Sequence, residues 1–309
     1  MAVQLAIAYD GSPSAANAVR VAGALFPATR AAVVTVPAPP PPSVRNASRW
    51  LMNVPIETFD HALTEIEAEA SEEAGEIADE GVVQAGAAGF SAERVVPRPH
   101  APSWEALLAA AHTAGADALI CGARGRGEIA RAVLGSTSIS LLHHADLPLI
   151  VVPDDATAAA GPVVIAYDGS PAADQAIDTV GRLLPGHAAT VVHVWESQYR
   201  RSRAVSAIAR GEVGEVVSVL DAALADEATA TTTAGVERAR AAGLDATGET
   251  VEADKGVWRT VRALATERSA ALIVTGARGV GGARSALLGS VSSGLVHNAD
   301  TPVLVVHAP

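Results

Sequence analysis

Short apolar runs alternate with longer stretches of helical spacing from one end of the chain to the other. Val3–Tyr9 is a mainly apolar run closed by Asp10-Gly11-Ser12-Pro13, the pattern of a buried strand turning into a helix with proline in its first turn. The spacing then predicts a helix over Ala15–Leu25, a strand over Ala31–Val36 stopped by the proline-rich Pro37–Pro42, and a long helix over Ile56–Ala85. A strand at Arg94–Val96, a helix at Ser103–His112, a strand at Ala118–Cys121, a short helix at Ser136–His143 and a last strand at Leu149–Val152 complete one series. The order repeats, with strands near Val163–Ala166, Thr190–Val194, Thr250–Glu252, Leu272–Thr275 and Val303–Val306. Five near-continuous apolar strands with helices between them call for a parallel sheet covered on both faces. In such sheets ligands sit beyond the carboxyl ends of the strands, where strand order reverses.

The chain is a tandem repeat. Ile7-Ala8-Tyr9-Asp10-Gly11-Ser12-Pro13 recurs identically from Ile165 to Pro171, Gly122-Ala123-Arg124-Gly125 recurs as Gly276-Ala277-Arg278-Gly279, and Ala145–Val152 returns in altered form as Ala299–Val306. The spacing between copies shortens from the early landmark to the later ones, so the second copy is shorter in its middle. Each copy far exceeds a solenoid unit, which makes two homologous domains, 1–153 and 162–309, joined by the small and polar linker Asp154–Gly161.

Composition narrows the chemistry. The net charge of −12 is shared by both halves, so neither offers a basic surface for nucleic acid or anionic lipid. A single cysteine, Cys121, excludes an internal disulfide and a cysteine-rich metal site. With no long uncharged apolar stretch and no basic residue before Asp10, the expectation is a cytoplasmic protein without a membrane span. Lys255 is the only lysine and has no P-loop context.

After the fourth strand, both halves carry G-x-x-G, nine residues, then G-[ST]: Gly122, Gly125, Gly135 and Ser136, matched by Gly276, Gly279, Gly289 and Ser290. Glycines let backbone N–H groups approach phosphate oxygens. A Gly-Ser opening a helix adds unpaired N–H groups and the positive end of its dipole. Arg124, Arg126 and Arg131, with Arg278 and Arg284, supply charge for a polyanion. The order is not the dinucleotide fingerprint, which follows the first strand.

These features together resemble a tandem universal stress protein of the ATP-binding branch: the aspartate after strand 1 (Asp10, Asp168), the G-x-x-G-x9-G-[ST] loop and a last strand reading P-L-I-V-V or P-V-L-V-V, each present twice. The resemblance covers nearly the whole chain. It implies two open five-stranded parallel sheets of order 3-2-1-4-5 with helices on both faces. It also implies ATP at a site formed by Ala8, Asp10, Val36, Gly122, Arg124, Gly125, Gly135, Ser136 and Thr137. The second site would be Ala166, Asp168, Val194, Gly276, Arg278, Gly279, Gly289, Ser290 and Val291. The loop would hold ribose and phosphates, the aspartate would lie beside the nucleoside with room for Mg²⁺, and Val36 or Val194 would meet adenine through its backbone. The last strand would be the pairing surface, used between the halves of one chain or between chains in a homodimer. Two departures suggest unequal sites: Val36 precedes a proline run whereas Val194 precedes Trp195-Glu196, and Thr137 faces Val291.

Other residues read as structural. His143-His144 are matched only by His297, Cys121 is replaced by Thr275, Trp104 and Trp258 sit in equivalent helices, and Arg200, Arg201 and Arg203 read as solvated. The ten carboxylates from Glu57 to Glu80, with no Lys or Arg among them, read as a solvated helix face. No acid or histidine recurs beside both loops as a general base, so no catalytic residue is assigned. The expectation is a nucleotide-binding regulatory protein of the stress response. A slow ATP hydrolase and a structural dimerisation module remain open beside it.

Overall fold

The computed structural model describes residues 3–39, 56–98, 102–125, 134–197, 212–253, 255–279 and 288–307. Two compact units divide between His144 and Ala145. In the first, β1 (Gln4–Ala8), β2 (Arg30–Val34), β3 (Ser91–Val95) and β4 (Ala118–Gly122) form a parallel sheet in the order β3-β2-β1-β4. Helices α1 (Pro13–Leu25), α2 (Ile56–Ala87), α3 (Ser103–Thr113) and α4 (Ser136–His144) connect them.

The second unit opens with β5 (Leu149–Val152) and continues through β6 (Val163–Ala166), α5 (Pro171–Leu183), β7 (Ala188–Trp195) and α6 (Glu212–Ala241). It closes with β8 (Asp245–Glu252), α7 (Val257–Glu267), β9 (Leu272–Gly276), α8 (Ser290–Asn298) and β10 (Val303–Val306). Its repeat reads β8-β7-β6-β9-β10, the order 3-2-1-4-5, all parallel. Strand β5 lies in this unit by contact and pairs antiparallel with β10, Leu304 opposite Ile150.

The central strands are buried throughout, which is why they read as unbroken apolar runs: every residue of β4, β5, β9 and β10 is buried. The edge strands β3 and β8 are half-buried to exposed, with Ala246 their one buried residue, and carry charge. Their apolar signal is therefore weak, and both start earlier than the expected Arg94 and Thr250, at Ser91 and Asp245. Strand β2 ends at Val34, two residues short of the expected Val36, whereas β7 runs on to Trp195. Gly81 of α2 lies against Tyr9 and Val33, and Gly235 of α6 against Tyr167 and Val191, each so close that a Cβ would meet their side chains within 3 Å. Val33 and Val191 thus face α2 and α6. The alternation of strand side chains turns Val34 and Val192 to the opposite face, where the clefts lie.

Candidate functional site

Each cleft begins with a strand-to-helix turn in which every residue has a physical reason. Gly11 and Gly169 adopt φ 75°, a left-handed conformation suited to glycine. One carboxylate oxygen of Asp10 accepts the Ser12 N–H at 3.0 Å, and Asp168 accepts from Ser170 at the same distance. Ser12 and Ser170 then cap α1 and α5, accepting from Ala15 N–H at 3.1 Å and Ala173 N–H at 3.2 Å, with Pro13 and Pro171 opening the helices. The aspartate is thereby fixed by its own turn, and its second oxygen faces the glycine loop. A Cβ on Gly125 would lie 3.0 Å from Asp10 Oδ2, and one on Gly279 would press harder still on Asp168 Oδ2.

The loop's two ends are drawn together by backbone bonds from Gly135 N–H to Ala123 O, 2.8 Å, and from Gly289 N–H to Ala277 O, 2.7 Å. Below them Ser138 and Ser292 donate to the carbonyls of Gly122 and Gly276, at 2.9 and 2.7 Å. Gly122 and Gly276 have a packing role as well: a Cβ there would lie within 3 Å of backbone atoms of Ser14 and Ala172. Helix α8 starts after the extended Gly289 with no side-chain cap, so its first N–H groups and its dipole point at the cleft with Ser290 at its mouth.

All nine residues expected in each half meet in one cleft. The first, of about 430 Å³, is walled by Ala8, Asp10, Val36, Gly122, Arg124, Gly125, Gly135, Ser136 and Thr137. The second, of about 570 Å³, is walled by Ala166, Asp168, Val194, Gly276, Arg278, Gly279, Gly289, Ser290 and Val291. Arg126, Arg131, Arg284 and the Arg200, Arg201, Arg203 group lie outside the described residues, as does most of the proline run after Pro39. Sequence reading missed the cleft walls: Val34, Leu107 and the polar Ser103 in the first cleft; Val192, Val257 and Val261 in the second. It also missed His193, which lines the second cleft. The strand alternation that exposes Val36 also exposes Val34, so that part was within reach; the helix contribution needed the three-dimensional packing.

Cys121 lines the first cleft but is buried, and desolvation pushes its thiol up to about 12, partly opposed by a hydrogen bond with Ser138. The His144 ring stacks on Trp104 at 4.5 Å, while Trp258 packs over Gly294. Neither histidine of the His143-His144 pair lines a cleft. Among the described residues, no three His, Cys, Asp or Glu side chains gather as a metal site.

A family model described as the universal stress protein family matches residues 3–153 and again 160–307. The chain belongs to the universal stress protein family. A universal stress protein of Mycolicibacterium smegmatis is 34% identical over 201 residues, and one of Mycobacterium tuberculosis is 32% identical over 201 residues. The match spans 62% of this chain and 62% and 61% of those relatives' lengths. Among solved structures, a universal stress protein from Archaeoglobus fulgidus covers 98% of both chains at 20% identity with a TM-score of 0.61, a likeness of fold. A universal stress protein in complex with cAMP matches 48% of this chain at 26% identity, with a TM-score of 0.35. No helix among the described residues is long and apolar enough to cross a membrane.

Proposed function

We propose that this universal stress protein binds adenine nucleotide, ATP in the first instance, at two sites per chain and acts as a regulatory binder in the cytoplasm. The observation that carries the reading is the convergence, in each half, of a glycine loop, a helix N-terminus, an arginine and a fixed aspartate at one end of a cleft whose other walls are valine and leucine. The polar end offers N–H donors and positive charge to phosphates. The apolar walls suit a planar base, and both volumes fall in the usual range of roughly 300–1,000 Å³ for ligand pockets. Gly125 and Gly279 leave room for phosphate oxygens beside Asp10 and Asp168, and Mg²⁺ would enter with the phosphates. The β5–β10 pairing supports association of the repeats 1–153 and 162–309 through their last strands, with 154–161 as the linker. Partner binding would follow nucleotide-dependent conformation. Mass spectrometry of nucleotide released from freshly purified protein tests the reading: an adenine nucleotide supports it, and protein that neither carries nor takes up nucleotide removes it.

A further inference from the structure

The ladders between β1 and β2, and between β6 and β7, stop at the same place. Tyr9 N–H donates to Val34 O and Tyr167 N–H to Val192 O, each at 2.9 Å. In a parallel ladder the next rung would run from the Val36 N–H to the Tyr9 carbonyl, and from the Val194 N–H to the Tyr167 carbonyl. Among the described residues neither rung forms, and the register ends at Ala8 opposite Val34 and Ala166 opposite Val192. A side chain has taken the carbonyl in each case. The Thr35 hydroxyl donates to Tyr9 O at 2.8 Å, and His193 Nδ1 lies 2.8 Å from Tyr167 O. A carbonyl only accepts, so that imidazole nitrogen carries its proton.

Thr35 and His193 hold equivalent positions and share no chemistry except a donor at this reach. We propose that they are positioning residues: each caps the carbonyl that would otherwise zip the two strands one rung further. Capping leaves the Val36 or Val194 N–H, on a half-buried residue of the cleft wall, turned toward the gap between the strands without a ladder partner. A half-buried N–H in an apolar wall is a costly group to leave unpaired. The ligand class that fits is the one already expected at Val36 and Val194, a flat ring with an acceptor nitrogen at its edge that lies between the valines and accepts a hydrogen bond from that N–H. This ligand clause rests on the nucleotide reading above; the open rung itself does not.

The test uses full-length protein and amide hydrogen exchange by NMR, first without nucleotide. Thr35→Val keeps the shape and removes the donor, and His193→Val removes the imidazole. Each variant should let its rung close and slow exchange of the Val36 or Val194 amide at least about tenfold, since a paired strand amide exchanges only on opening. Thr35→Ser should restore the fast exchange, and so should His193→Thr, which installs the first half's residue. ATP affinity of the altered cleft should fall roughly tenfold, the scale of one hydrogen bond, while the other cleft is unchanged. Amides that exchange equally in wild type and both Val variants would overturn the proposal, as would failure of Thr35→Ser and His193→Thr to restore exchange. If no ATP binds to wild type, the nucleotide reading fails alone and the exchange data still decide this inference.

Discussion

The two clefts share a frame and differ in their walls. The hydrogen bonds of the Asp-Gly-Ser-Pro turn and of the serines under the loop match between the halves to within a few tenths of an ångström. The opposite end does not: Ser103, Leu107 and Cys121 of the first cleft are replaced by Val257, Val261 and Thr275 of the second, and the cavity widens from about 430 to about 570 Å³. Backbone constraints explain the contrast. A left-handed turn, an N-cap and a glycine pressed against backbone each admit very few residue types, whereas a valine and a leucine fill a wall almost equally well. Both sites should therefore share the loop's grip on the phosphate end, apart from the Thr137 hydroxyl that Val291 lacks, and differ in affinity chiefly through the base end.

The largest effect should come from filling the phosphate position in one half only. Gly279→Glu sets a carboxylate against Asp168 and should empty the second cleft while the first stays occupied, halving the nucleotide stoichiometry in a titration; Gly125→Glu should do the converse. Unchanged stoichiometry in both variants would break the shared-frame view. Next, Ser290→Ala should weaken the second cleft by about 1 kcal/mol, the usual worth of one hydrogen bond. Ser136→Ala should cost the first cleft less, because Thr137 keeps a hydroxyl where Val291 has none. Equal losses would show that the neighbouring residue contributes nothing.

A spectroscopic difference should follow. Tyr167 donates to Asp174 at 2.8 Å, and burial first, then this carboxylate, pushes its phenol up to about 12. Its neutral form is favoured in the folded state, so this contribution to stability is complete below pH 10 and fades as pH rises toward 12. Ultraviolet titration should show Tyr167 as a late-ionising tyrosine, moved to lower pH by Asp174→Asn. A titration unaltered by that change would remove Asp174 as a cause. The smallest effect concerns Cys121: with its thiol near 12 and buried, alkylation at pH 8 should be negligible in folded protein and complete after denaturation. Ready labelling of folded protein would mean that the first cleft opens more widely than its geometry indicates.

Much of this was legible in the residues because the repeat printed it twice. Asp10 with Asp168, and the two glycine loops, stand out in sequence because the same residues recur at the same spacing in both halves. The central strands were equally plain, being buried on both faces. The edge strands were not, because Ser91–Val95 and Asp245–Glu252 are held by pairing on one side and carry charge on the other. The early end of β2 was also hidden. Val36 is as apolar as Val34, and only the Thr35 hydroxyl on Tyr9 O reveals that pairing has stopped. His193 escaped notice for the same reason, as its partner is a backbone carbonyl 26 residues away in sequence.

The central claim is that each half holds one adenine nucleotide in its own cleft. Calorimetric titration of nucleotide-stripped protein with ATP tests it most directly. The expected result is two ATP per chain for wild type, one for Gly125→Glu, one for Gly279→Glu and none for the double variant, with folding intact by circular dichroism. Saturation of wild type below one equivalent, or full binding by the double variant, would contradict it.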